Sequence, residues 1–262
     1  TVSGTSISFG SPVVFESAQT EYISATFDST NGKVVITYND DGNSGSGTAI
    51  VGTVSGTSIS FGSPTVFNSG QSVSTSTFDS TNGKVIVVFR DGANSNYGTV
   101  VVGTISGTSI SFGSEAVFES ARIDHASAAF DSSNGKVVIA YRDYGNSNYG
   151  TAVVGTVSGT SISFGTPVVF NSGGNTVYTS TIFDSTNNKV VIAYRDGGNS
   201  NYGTAIVGTV SGTSISFGSA VVFESATSNY IAAVFDSSNN KVAISYADAG
   251  NSNYGTSIVV QI

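Results

Sequence analysis

The chain has 262 residues, of which 39% are hydrophobic and only 10% charged, so it holds enough apolar material for a core while being much poorer in charge than ordinary globular domains. Its net charge of -8, with nine Lys and Arg scattered along the sequence, argues against nucleic acid as a partner. The absence of cysteine excludes disulfides, thiol catalysis and thiolate metal sites but leaves the compartment open. No stretch reads as a transmembrane span or a signal peptide, and the start at Thr1 rather than Met is what a processed form or a fragment would show.

The phrase SGTSISFG recurs at Ser3, Ser55, Ser106, Ser158 and Ser211, which divides the chain into units 1-52, 53-103, 104-155, 156-208 and 209-262. A period near 50 with several short strands marks a radial β repeat, in which neighbours complete the burial that one unit cannot achieve. Residues 5–9 open the chain with a short alternating strand. Residues 22–28 alternate large apolar with small hydroxylated groups and read as the first strand of a unit. Residues 29–32, Ser-Thr-Asn-Gly, form a tight turn because Asn and Gly tolerate a left-handed backbone. The returning strand, 33–38, is apolar on both faces, as expected where sheets stack on either side. A polar loop over 40–47 leads to a third strand at 48–54, and Ser55-Gly56 turns the chain into a fourth at 58–61.

Four antiparallel strands repeated five times predict an all-β, five-bladed β-propeller forming a single domain over 1-262. The last unit stops within its third strand while the chain begins with a fourth. The N-terminal strand is therefore expected to close the last blade and leave no free edge at the seam.

Charge repeats with the fold. All five lysines occupy the same turn, and ten of the seventeen acids are two Asp positions per unit: Asp28, Asp79, Asp131, Asp184 and Asp236, then Asp40, Asp91, Asp143, Asp196 and Asp248. Asp opening a D-S-(S/T)-N-(G/N)-K turn accepts hydrogen bonds from backbone two or three residues on, so these carboxylates read as turn formers rather than catalysts. The arginines before the second Asp (Arg90, Arg142, Arg195) are expected to neutralise it.

In such a blade the loops after the second and fourth strands share one face, and that face carries the candidates for function. The approach to the first strand differs in every unit, unlike the rest of the repeat. It supplies Glu21, Tyr22, His125, Tyr178 and Tyr230, preceded by Glu16, Asn68, Glu119, Asn171 and Glu224, which alternate acid with amide. The long loops add Tyr97, Tyr149, Tyr202 and Tyr254, read also as caps of the blade edge. Polar groups interspersed with aromatics suit sugar recognition; drift in an unconstrained loop accounts for the same variation. His125, the lone histidine, has no partner set for metal or triad chemistry and reads as a surface residue. Asp and Asn in the long loops are oxygen donors of the kind calcium takes, but match no complete calcium motif, and no cofactor is expected.

The D-x-G-N-S segment resembles part of the Asp-box of sialidase-like propellers but lacks its preceding Ser and closing Trp, so no activity follows from it. Across the whole chain, GTVSGTSISFGSPVVF, KVVIAYRD and GNSNYGTAIVGT resemble repeats of predicted phage tail-fibre or bacterial surface proteins. That resemblance implies an extracellular, cell-surface or virion role in adhesion or receptor binding, or as a structural bead in a fibre, with cell-surface glycans or copies of the chain itself as partners. Five near-equivalent units suit multivalent carbohydrate binding, for which tachylectin-like lectins are a fold-level precedent. A glycoside hydrolase would need a unique carboxylate pair near the axis, and nothing in the sequence pairs the irregular acids Glu21, Asp41, Glu115 and Asp124. The reading is non-enzymatic.

Overall fold

The computed structural model describes residues 2–3 and 6–262. Its strands follow the repeat. First strands are Thr20–Asp28, Thr65–Asp79, Ala116–Asp131, Thr176–Asp184 and Val221–Asp236; second strands run from Lys33–Asp40 to Lys241–Asp248; third strands run from Ser46–Ser55 to Tyr254–Val260. The SISF strands, Ser58–Phe61, Ser109–Phe112, Ser161–Phe164 and Ser214–Phe217, pair with the ends of the third strands. All these ladders are antiparallel.

The stretches expected to be variable loops are largely strand. In repeats 2, 3 and 5 the first strand starts early and pairs with the third strand of the preceding repeat, as in Val66↔Thr48 and Asn68↔Gly47, before crossing to its own second strand. In repeat 4 the same path is split into Val168–Asn171 and Thr176–Asp184. Backbone groups that would have been exposed in a loop are thereby paired across the repeat boundary.

Alternate residues of each second strand face opposite neighbours, which explains the continuous apolar run. Val137, Ile139 and Tyr141 pack on Ile86, Val88, Val100 and Val102 of repeat 2. Val138 and Ala140 pack on Val190, Ile192 and Tyr194 of repeat 4. Equivalent clusters join repeats 1 and 2 and repeats 4 and 5. Each core thus lies between repeats rather than inside one.

The turn Asp residues act as expected. Asp28 Oδ1 accepts from the Thr30 and Asn31 amides at 2.8 and 3.0 Å, and Oδ2 from Asn31 Nδ2 at 2.7 Å. Asp79, Asp131, Asp184 and Asp236 repeat this, with the left-handed residue supplied by Gly32, Gly83, Gly135, Asn188 and Asn240. Asp91, Asp143, Asp196 and Asp248 likewise accept loop amides.

The first strands of successive repeats lie side by side. Ser24 Oγ lies 3.2 Å from Ser76 Oγ, Ser127 Oγ 2.7 Å from Thr181 Oγ1, and Ser180 Oγ accepts from the Ala233 amide at 2.9 Å. Near their ends a cavity of about 520 Å³ is lined by residues of all five, among them Phe27, Phe78, Phe130, Phe183 and Phe235. At the seam, Val2–Ser3 and Ser6–Ile7 pair with each other, and Tyr254–Val260 pairs with the second strand of its repeat. The pairing expected between 5–9 and the last strand is not among the described ladders, and Thr5 lies outside the described residues.

Candidate functional site

Within the first strands, four of the five repeats carry a β-bulge where the strand nears the long-loop face. In repeat 1 the register passes from Glu21↔Asn39 to Ser24↔Thr37, so Tyr22 and Ile23 oppose one residue. The same irregularity brackets His125, Tyr178 and Tyr230. These four residues have left-handed backbones, with φ of 51°, 51°, 53° and 53°. A large side chain at a position that favours glycine is strained by order 1–2 kcal/mol, and such strain persists where the surroundings over-determine it. In repeats 3 and 4 the bulge residue meets its counterpart in the next repeat. His125 stacks edge-on to Tyr178 with centroids 5.2 Å apart, and Tyr178 lies 5.1 Å from Tyr230.

Repeat 2 breaks the pattern. Its ladder runs without a shift from Val73↔Arg90 to Ser74↔Phe89, and the repeat is one residue shorter than repeat 1, so the bulge residue itself is missing. A cavity of about 300 Å³ lies at that place, between Tyr22 and His125, with Val73, Ser74, Arg90 and Asp124 completing its walls. Its size is at the small end of ligand pockets.

The arginines do not neutralise the aspartate beside them, as the sequence led us to expect. They reach into the next repeat. Arg90 pairs with Asp124, Arg142 Nη1 donates to Asn175 at 2.8 Å, and Arg195 donates to Asn229. The adjacent Asp side chains are already engaged by loop amides, which leaves the guanidinium groups to find acceptors across the boundary. Asp124 also receives Arg122 and Arg142, both at 2.9 Å to Oδ2. Burial works against its charge, but Arg90 together with bonds from Tyr144 and Arg122 outweighs that and holds its pKa below the usual carboxylate range.

His125 is half-buried rather than a surface residue. Burial, with the charges of Arg142, Arg195 and Arg90 adding to it, pushes its pKa from 6.5 to about 4 against the opposing pull of Asp124. A folded-state pKa below the unfolded one means that the native state binds fewer protons between these values. The associated stability is present above pH 6.5 and is lost as pH falls toward 4. We expect urea unfolding to show a loss on the order of 2 kcal/mol across that window, part of the shift being screened by solvent, and His125→Phe to flatten it.

The remaining sequence candidates lie farther out. Glu119 and Glu224 hold the hydroxyls of Tyr141 and Tyr246 at 3.2 and 3.0 Å. Glu16 caps the Ala18 amide at 2.9 Å. Asn68 and Asn171 donate to Asp91 and Asp196, each at 3.0 Å. Asn68 also bridges to Glu115 at 3.0 Å beside a rim cavity of about 580 Å³, whose polar groups thus satisfy one another. Tyr97, Tyr149, Tyr202 and Tyr254 open the third strands, each opposite the second Asp of its repeat. Glu21 stands next to Tyr22 and accepts from Gln19 at 3.3 Å. Burial raises the pKa of Glu119, with Asp143 adding to it, and burial also raises that of Asp143. Among the described residues, no group of three or more His, Asp or Glu side chains is placed to hold a metal ion. Arg122 and Tyr144 were not sequence candidates. The position of Arg122 outside the repeated arginine site was the available signal.

No family model matches the chain, and no curated protein does. Among solved structures it is similar to SapL1 lectin, determined in complex with alpha methyl fucoside, with TM-score 0.56 and 13% identity over 91% of this chain and 76% of that one. It is similar to AofleA from Arthrobotrys oligospora, with TM-score 0.56 and 9% identity over 90% of this chain and 67% of the other. A third, the Hadza microbial sialidase Hz136, gives TM-score 0.60 and 11% identity over 93% of this chain, which spans about half (52%) of that one. At these identities the likeness defines the fold, which is of the β-propeller class.

Proposed function

We propose that this chain is a single-domain, five-bladed propeller, its last blade completed by the N-terminal SISF segment, that binds saccharides without hydrolysing them, outside a cell or on a virion. The observation that carries the reading is the set of aromatic bulge residues. Tyr22, His125, Tyr178 and Tyr230 share a left-handed backbone, and His125, Tyr178 and Tyr230 form a row of ring contacts on the long-loop side. Aromatic walls with a few placed polar groups are the usual make-up of a small-ligand site. Similarity in fold to a lectin solved with a fucoside supports the same reading.

The carboxylates here favour binding over catalysis. Asp124 is bound by Arg90, Arg122 and Arg142, Glu119 by the Tyr141 hydroxyl and Asp143 by a loop amide, so each of these carboxylates is engaged within the protein. A second reading, a bead in a surface fibre, is favoured by the exposed Phe9 and the strand edge at Tyr254–Val260.

A glycan array probed with the protein and with a Tyr22→Ala/Tyr178→Ala/Tyr230→Ala variant tests this. Specific binding by the parent and its loss in the folded variant is the expected result. A blank array, with the pure protein assembling into filaments, would favour the bead, and release of sugar would overturn both.

A further inference from the structure

All four arginines of the chain, Arg90, Arg122, Arg142 and Arg195, converge on the long-loop face, while the five lysines stand at the other end of the second strands. Lys136 and Arg142 are six residues apart on one strand, or about 20 Å. The same end of the second strands also carries Asp91, Asp143 and Asp196, whose carboxylates accept loop amides, so the arginines are the cations of a mixed cluster.

Arg90, Arg122 and Arg142 converge on a single carboxylate, that of Asp124, while Asp91 and Asp143, next to Arg90 and Arg142 in the chain, are engaged by loop amides. The Nε of Arg90 and the Nε of Arg142 are buried without an acceptor among the described residues, and Arg142 is only 8% exposed. Buried guanidinium donors left unpaired are costly, and an anion is the partner that removes the cost. Tyr144 packs within the cluster: Arg122 and Arg142 lie over its ring at 4.5 and 4.4 Å to the centroid, and its hydroxyl accepts from Arg142. Arg90 and Asp124 form part of the wall of the 300 Å³ cavity between Tyr22 and His125, so the cluster meets the aromatic site through Arg90. Besides Asp124, the acids next to this wall along the chain are Glu21, which accepts from Gln19, and Asp91, which follows Arg90 and accepts from the Ala93 amide.

We propose that the arginine cluster around Asp124 binds the anionic group of an acidic saccharide, a carboxylate or a sulfate ester, whose ring lies in the cavity between Tyr22 and His125. This rests on the saccharide-binding reading above and names the class of sugar. The neutral imidazole of His125 sits where a bound anion would act on it directly. As the sole histidine, it gives a single imidazole signature to follow.

The test is calorimetric titration at pH 7, with the His125 resonances observed in parallel, using galacturonate, galactose 6-sulfate and methyl galactoside as probes. One or both acidic sugars are expected to bind about ten-fold tighter than the neutral one, to shift the His125 signals, and to lose that advantage at about 0.5 M salt. Which of the two binds distinguishes carboxylate from sulfate. Arg122→Gln, at a side chain 47% exposed and so safe for folding, is expected to abolish the preference while leaving the melting curve unchanged. Equal affinity for neutral and acidic sugars, or a preference indifferent to Arg122→Gln, would overturn the anion assignment and leave saccharide binding standing. Failure of every sugar to bind, even where inorganic sulfate moves His125, would overturn both.

Discussion

Phe170→Ala is expected to lower the free energy of unfolding by about 3–5 kcal/mol, read as a fall in the urea midpoint, because it empties a site that joins two repeats. Phe170 is 8% exposed and makes ring contacts with Tyr194 at 5.2 Å and Phe217 at 5.7 Å. It also lies so close to Gly150 that a Cβ there would come within 2.6 Å of the ring. The glycine second in the third strands of the first four repeats, Gly47, Gly98, Gly150 and Gly203, is therefore a shape requirement of the phenylalanine beside it. The same trio recurs as Phe15–Tyr38–Phe61, Phe67–Phe89–Phe112 and Phe118–Tyr141–Phe164. Phe15→Ala is expected to cost less, since Phe15 is only partly buried at the edge of repeat 1. A loss under about 1 kcal/mol for Phe170→Ala would mean that these cores relax around the gap and do not couple neighbouring repeats.

How far the sequence reaches can be seen by comparing Asp28 with Tyr22. Asp28 acts on groups two and three residues away, so its role is written in the local order Asp-Ser-Thr-Asn-Gly, and the structure reproduces it in every repeat. The two-sided burial of Lys33–Asp40 was legible for the same reason, from an apolar run bounded by turn signals. Tyr22 was legible only as a position where repeats disagree. Its left-handed backbone comes from a register shift against a strand more than a dozen residues on, which no local pattern encodes. The missing residue of the second repeat was visible as a shorter unit, but the cavity it opens depends on residues from three repeats. Arg90 and Asp124 are 34 residues apart, and their pairing follows from how the repeats pack. The fold was carried by local chemistry; the candidate site is made where the repeats meet and differ.

The largest stabilisation is expected from a covalent seam. In repeat 4 the third strand pairs with its SISF strand as Gly208↔Phe217 and Thr209↔Ser216. Carried to the last repeat, that register sets Val260 against Phe9 and Gln261 against Ser8. It would also seat Phe9, 83% exposed, beside Phe223, where the other repeats place Phe61, Phe112, Phe164 and Phe217 against the corresponding ring. The chain has no cysteine, so Ser8→Cys/Gln261→Cys introduces the only thiols. If the ring closes on itself, oxidation should give a monomer with an internal disulfide, stabilised by about 4–5 kcal/mol because the bridged loop is very long. Disulfide-linked chains in place of the monomer would show that the same edge takes the strand of a second molecule. Head-to-tail exchange of that kind builds a filament, the arrangement a fibre bead requires.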